Sequence, residues 1–342
     1  MRVHCLSFLA AAAVVGTLSY AAPSKRSVSR IVGGVQAPAD EYKFIAFIDF
    51  FNLETGGIYC TGSLIAPNVV LTAAHCVYDS PTNMTAPEDV TVRFTHTVPK
   101  FPSTTRSYDV IKVVPHPNFS LDDGPDDIAL LILNSTIPDS VTTKVKLYTG
   151  DYYLDTPLEA AGFGITEELN RTKADVLMKV DLKTSNTEAC RKYISEYNPA
   201  KMICTEGPIG KSPCYGDSGG PLLMPIDNGL DGFALIGLTS FGSGKDNKEA
   251  LCGADGAAGF YTRVSAYVSW IAETADLSIG NFTTTNKTMH LGELDEIPES
   301  DLLDDVESGP ESNSSGADSF KLVSVSATIL AALGTGISAM LF

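Results

Sequence analysis

The chain has 342 residues and a formal net charge of −17. That length allows one large domain or two with appendages, and the acidity argues against a nucleic-acid partner, which would favour a basic face. The acid is unevenly spread, with ten carboxylates and no Lys or Arg between Leu291 and Asp318.

Residues 1–22 read as a secretory signal peptide. Arg2 supplies the charged start, Leu6 to Val15 the apolar stretch, and Ser19-Tyr20-Ala21 a small-x-small cleavage site. Cys5 falls inside that leader, which leaves Cys60, Cys76, Cys190, Cys204, Cys214 and Cys252 for the exported chain. No C-x-x-C spacing suggests zinc, and export favours disulfides, so neither metal nor cofactor is expected. A short basic segment, residues 23–30, follows and ends at Arg30. After it comes Ile31-Val32-Gly33-Gly34.

Short β-rich runs broken by turns occupy residues 44–51, 58–64 and 68–71. Leu71-Thr72-Ala73-Ala74-His75-Cys76 then sets a histidine beside a cysteine, a setting that His96, His116 and His290 lack. In Asp126-Asp127-Ile128-Ala129-Leu130-Leu131 two acids stand before an apolar strand. Burying one unpaired would cost about 3–5 kcal/mol, so the buried acid needs a partner. Residues 187–196 predict a short helix. Residues 264–275 predict an amphipathic one, with the single tryptophan, Trp270, as core packing.

The most informative stretch is Cys214-Tyr215-Gly216-Asp217-Ser218-Gly219-Gly220-Pro221. A serine hydroxyl is a poor nucleophile unless a base lies beside it and backbone N–H groups lie nearby. Glycines around Ser218 tolerate positive φ and permit the tight turn that would expose it. The N–H groups of Gly216 and Ser218 could then converge on a developing oxyanion.

GDSGGP, together with LTAAHC, DIALL and the IVGG start, resembles the chymotrypsin-like serine proteases. The resemblance implies an all-β fold of two antiparallel six-stranded barrels with a C-terminal helix, over residues 31–275. It selects Asp127 over Asp126, which is then expected to be solvated, and implies His75 as base, Asp127 as its orienter and Ser218 as nucleophile in the order typical of chymotrypsin. Ala161-Gly162-Phe163-Gly164 resembles the family's G-W-G. By the same resemblance, a cut between Arg30 and Ile31 would free an α-ammonium to pair with Asp217, making the chain a zymogen, and the disulfides would be 60–76, 190–204 and 214–252. The specificity pocket would have Ser212 at its base and Ser240, Gly242 and Gly259 along its walls. An uncharged base with small walls implies cleavage after large apolar or aromatic residues. Two alternatives stay open: an acid from residues 243–255 entering the pocket and restoring Lys/Arg specificity, and a non-catalytic binder on the same fold.

Such an enzyme needs an Arg-specific activating protease, acts on protein or peptide substrates, and has protein protease inhibitors among its expected partners. It is expected to be a monomer. Residues 276–319 have the composition of an acidic, disordered stalk. Glycosylation sequons begin at Asn83, Asn118, Asn134, Asn170, Asn281, Asn286 and Asn313. Residues 320–342 form an apolar tail with small residues and a short spacer before it. That pattern predicts a GPI signal, with a transmembrane helix as the alternative, and places the protein outside the cell on a membrane surface.

Overall fold

The alternation of short apolar runs and turns resolves into two β-bodies. The computed structural model describes residues 31–50, 58–80, 83–98, 104–121, 125–169, 172–226, 232–285 and 340–341. The predicted leader, Arg30, most of the stalk and tail, and Asn170, Asn286 and Asn313 lie outside them.

Six strands close the first barrel: β1 (Ile45–Phe50), β2 (Ile58–Ala66), β3 (Val69–Thr72), β4 (Val90–Phe94), β5 (Ser107–Pro115) and β6 (Ala129–Leu133), in the order β1-β2-β3-β6-β5-β4. Its interior is filled by Ile48, Leu64, Val70, Val92 and Leu131. Small barrels of this strand number fill with side chains, so the site must lie outside the lumen.

The second body is built from β7 (Pro157–Gly162), β8 (Met178–Lys183), β9 (Met202–Thr205), β10 (Pro221–Pro225), β11 (Phe233–Gly244) and β12 (Ala257–Arg263). These pair antiparallel in the order β8-β7-β10-β11-β12-β9. The two ends approach where Ser185 N–H donates to Cys204 O at 3.0 Å. A third apolar cluster, with Phe47 and Leu130 from one side and Phe163, Leu223 and Ile271 from the other, welds the bodies together. The expected two-barrel architecture is present. The antiparallel expectation needs one amendment, because Lys146–Tyr148 pairs parallel with β11.

Helix α1 runs only over Thr187–Arg191, shorter than its sequence predicts. Asn186 caps it, its Oδ1 accepting from Ala189 N–H at 2.7 Å. The helix stops because the Lys192 and Tyr193 carbonyls accept instead from Asp246 and Asn247 N–H. The stretch from residue 264 opens with a 3₁₀ turn, and α2 proper is Val268–Ala275.

Ordered structure also continues past the expected boundary at Ala275. Asp276 adopts the left-handed conformation that ends α2, with φ 52°. A further turn, α3 (Ile279–Phe282), buries Phe282, and Thr283–Thr284 pairs with residues 147–148. The stalk therefore cannot begin at Asp276, because Phe282 belongs to the shared core. A chain ending at Ala275 is expected to melt below one ending at residue 285. Phe282→Ala should lose about 3–5 kcal/mol in denaturant unfolding.

Candidate active site

His75 begins a 3₁₀ turn directly after β3, and Asp127 stands two residues before β6, the strand paired with β3. Strand pairing thus brings the two side chains together across 52 residues. His75 Nδ1 lies 2.8 Å from Asp127 Oδ2, and His75 backbone N–H donates to Asp127 Oδ1 at 2.8 Å. From the second body, Ser240 Oγ–H donates to Asp127 Oδ2 and Thr262 Oγ1–H to the Asp127 carbonyl at 2.7 Å. Burial pushes the Asp127 carboxyl up, but the His75 charge and these hydrogen bonds outweigh it and hold the group below its ordinary value.

Ser218 lies in the loop before β10, lodged between the two bodies. Thr61 N–H of β2 donates to Ser218 O at 2.9 Å, and the next residue's N–H, that of Gly219, donates to Thr239 O of β11 at 2.8 Å. Ser218 Oγ is buried without a hydrogen-bond partner, and His75 Nε2 lies 3.8 Å from Cys76 Sγ. Gly216 has φ 93°, and a Cβ there would fall 2.5 Å from the Tyr59 ring, so only glycine suits this corner.

Asp217 is fully buried. It accepts from Gly164 N–H at 2.7 Å and Cys214 N–H at 2.9 Å, with no cation against it among the described residues. Burial pushes its carboxyl up to about 7, and the two N–H bonds only partly offset that. Gly162 and Gly164 cradle it, since a Cβ on either would come within 2.3 or 2.4 Å of its oxygens. Ile31 is also buried, packed with Tyr148, Ile203 and Tyr261, and Ser212 N–H donates to Val32 O at 3.1 Å. The chain segment after the expected cut thus already lies along the nucleophile loop.

Around the expected pocket, Gly242 and Gly259 are register partners in β11 and β12. Ser212, Pro213, Ala258 and Gly259 line a cavity of about 10 Å³, no larger than one water needs. Ser212 Oγ–H donates to its neighbour Pro213 O at 2.7 Å. Ser240 does not line that cavity; its hydroxyl is committed to Asp127. A short strand, Met340–Leu341, adds antiparallel to Phe241 and Gly242.

The loop of residues 243–251 turns away. Asp246 and Asn247 take positive φ and are tied to residues 192 and 193, and Asp246 pairs with Lys248 at the surface. Neither Lys245, Asp246, Lys248, Glu249 nor Asp255 lines the cavity. The acid that does reach the adjacent disulfide is one that sequence reading passed over: Glu168 Oε2 accepts from Cys252 N–H at 2.6 Å. No local pattern marks it, because Glu168 lies 84 residues from its partner.

The disulfides 60–76, 190–204 and 214–252 are all present. The groups of His, Cys and acid close enough to suggest a metal, Cys60-His75-Cys76 and Glu168-Cys214-Cys252, consist largely of these bridged cysteines, which offer no thiolate. Asn83, Asn118, Asn134 and Asn281 are exposed. Among the described residues no helix is long and apolar enough to cross a membrane.

One expectation is overturned. Asp126 is not solvated: it is buried, and Lys201 Nζ donates to both of its oxygens, at 2.9 and 2.8 Å. A second acid at the seam of the two bodies found a cation that the local sequence does not reveal.

The buried, unpaired Asp217 makes the uncut chain pH-sensitive. Its folded value of about 7 lies above the ordinary 3.8, so its contribution is intact below about pH 4 and is lost as pH rises through 7. The full loss is on the order of 4 kcal/mol. Uncut Asp217→Asn should therefore gain on the wild type between pH 4 and pH 8, read as a widening difference in Tm.

The profile of the family described as Trypsin matches residues 31–271. The chain is 32% identical over 271 residues to the CLIP domain-containing serine protease HP8 of Bombyx mori, covering 71% of this chain and 68% of that one. It is 32% identical over 265 residues to the proclotting enzyme of Tachypleus tridentatus, covering 72% and 66%. With the trypsin of Saccharopolyspora erythraea it shares 33% over 245 residues, 71% of this chain and 97% of that one. The chain thus spans about two thirds of the first two relatives and nearly all of the third.

Proposed function

The chain belongs to the trypsin family of serine endopeptidases, and on that premise we propose that it hydrolyses peptide bonds through His75, Asp127 and Ser218 after a cut between Arg30 and Ile31. The observation that carries this is the His75–Asp127 contact of 2.8 Å, with Ser218 buried on a glycine-containing loop that is bonded to Thr61 of the same barrel. With Nδ1 committed to Asp127, Nε2 is the nitrogen available as base. It takes the Ser218 proton as Oγ attacks the substrate carbonyl carbon. The oxyanion is held by Gly216 and Ser218 N–H, and His75 returns the proton to the leaving amine. Water, deprotonated by the same imidazole, then cleaves the acyl ester and restores Ser218.

The uncut state explains why the Ser218 hydroxyl has no partner. Asp217 lacks a cation, and freeing the Ile31 ammonium would supply one at the base of the same loop. Pairing would drop the Asp217 carboxyl well below its raised value and shift Gly216 and Ser218 into their working positions. The cavity at Ser212 would open in the same step. Ser212 carries no charge, and the acids of residues 243–255 lie off the cavity, so the pocket suits Phe, Tyr or Leu before the scissile bond. The edge at Phe241–Gly242, which already accepts an extended strand, would bind the substrate backbone on the acyl side. An enzyme of this preference does not cut after Arg30, so a separate Arg-specific protease activates it. The leader directs export, the exposed sequon asparagines carry glycans, and the C-terminal segment serves as a GPI signal that is exchanged for a lipid anchor at the outer membrane surface.

Chain cut after Arg30 should cleave peptides after Phe, Tyr or Leu, and uncut chain should not. Ser218→Ala should lower kcat at least about 10⁴-fold with the fold intact. Cleavage after Lys or Arg instead would refute the neutral pocket, and activity surviving in Ser218→Ala would refute the nucleophile.

A further inference from the structure

Asp126 carries more of the site than its place beside a catalytic candidate suggests. It adopts φ 63°, a left-handed conformation unusual outside glycine, and its carboxylate is buried. Strained backbone of this kind persists only where its surroundings over-determine it. Here they do so from the other body. Lys201 enters from the turn before β9, gripped in turn by Arg263 N–H on Lys201 O at 2.8 Å, and holds both Asp126 oxygens. The Asp126 carbonyl accepts from Ile128 N–H at 2.9 Å, which closes a tight turn around Asp127. The aromatic pair Tyr267 and Trp270 seals the pair from behind through the His116 ring, at 5.2 and 4.9 Å between centroids.

We propose that the Asp126–Lys201 ion pair is a positioning device for the triad: it couples the docking of the two bodies to the orientation of the Asp127 carboxylate on His75. This rests on the protease reading above. Asp127 is bonded to the second body through Ser240 and Thr262, and Lys201 fixes its neighbour to the same body. When the pair is intact, Asp127 cannot rotate about the Asp126 backbone without breaking a two-pronged contact that is buried on the Asp126 side and half-buried on the Lys201 side. When it is cut, the turn can relax to ordinary φ and the imidazole loses its fixed aim.

The charged and titratable groups facing Asp126 are Lys201, His116 and Tyr267; His75 is faced by Asp127. His116 Nδ1 lies 3.9 Å from Asp126 and accepts from Asn118 N–H at 3.3 Å. Burial lowers the His116 imidazole, against the Asp126 charge and with that of Lys201, and Nδ1 accepts a hydrogen bond, both of which favour its neutral form. Burial first and then the Asp126 charge raise the Tyr267 phenol, which is neutral too. The pair is therefore the charged element behind the triad, and its two halves act on the His75 imidazolium with opposite sign.

The test uses the full-length chain cut after Arg30, with sites counted by an acyl-enzyme burst on a chromogenic ester, so that misfolded molecules do not enter kcat. Asp126→Asn and Lys201→Met should each lower kcat about tenfold or more per burst site, with KM within about twofold. The acid limb of kcat/KM should move down by about 0.3–1 pH unit in Asp126→Asn, which leaves the cation, and up by a similar amount in Lys201→Met, which leaves the anion. The double neutral variant should return the limb to its wild-type position while kcat stays low, Lys201→Arg should restore kcat, and His116→Asn should leave the limb in place. A structural pair alone would lower the burst and move neither limb. Limbs that stay put or move together, unchanged kcat, or a limb that follows His116 would overturn the proposal. If Lys201→Met gives no burst, Asp126→Asn and Lys201→Arg decide the question alone. The absence of any burst in the cut wild type would overturn the protease reading, and this proposal with it.

Discussion

A carboxylate taken out of water must be met by donors, and the seam of this molecule is built around that demand. Asp127 is buried completely; its carboxylate is met by His75 from its own barrel and by Ser240 from the other, and Thr262 of that other body donates to its backbone carbonyl. Neither body alone provides the set. Docking the two bodies therefore creates the environment in which an ionised acid is tolerated there, and removing the His75 or the Ser240 donor would leave the charge under-solvated. The apolar cluster across the same seam supplies the non-directional part of the association, and these hydrogen bonds supply its register.

Asp217 stands in contrast. It is equally buried, yet among the described residues its donors are two backbone N–H groups and no cation. The surrounding glycines matter for steric reasons, since side chains at Gly162 or Gly164 would occupy the volume of its carboxylate. A buried acid left at about 7 is an unfinished interaction. Ile31 lies buried in the same body.

Motifs made of neighbouring residues were legible: the glycines around Ser218, the histidine ahead of Cys76, the acids ahead of β6, and the cysteine set. Contacts made across the seam were not. Asp126 read as solvated because the resemblance gives the buried role to Asp127, and Lys201, 75 residues away, leaves no local trace. Helix α1 was overestimated for a similar reason, since the carbonyls that would extend it are taken by residues 246 and 247. Phe282 sits in a polar, sequon-bearing stretch whose composition resembles a stalk, and only packing against the shared core shows that the domain includes it.

By itself, the sequence determined the β-rich class and which side chains are chemically fit to act, while the serine-protease type of chemistry came from the resemblance of its motifs to that family. Those properties reside in local spacing: glycines that permit a turn, and an apolar strand that must follow a buried acid. Only the tertiary structure decided which acids are buried, which cations meet them and where the ordered chain ends. Burial and charge pairing depend on what another segment brings to the same point, and in this fold the decisive partners come from the opposite barrel.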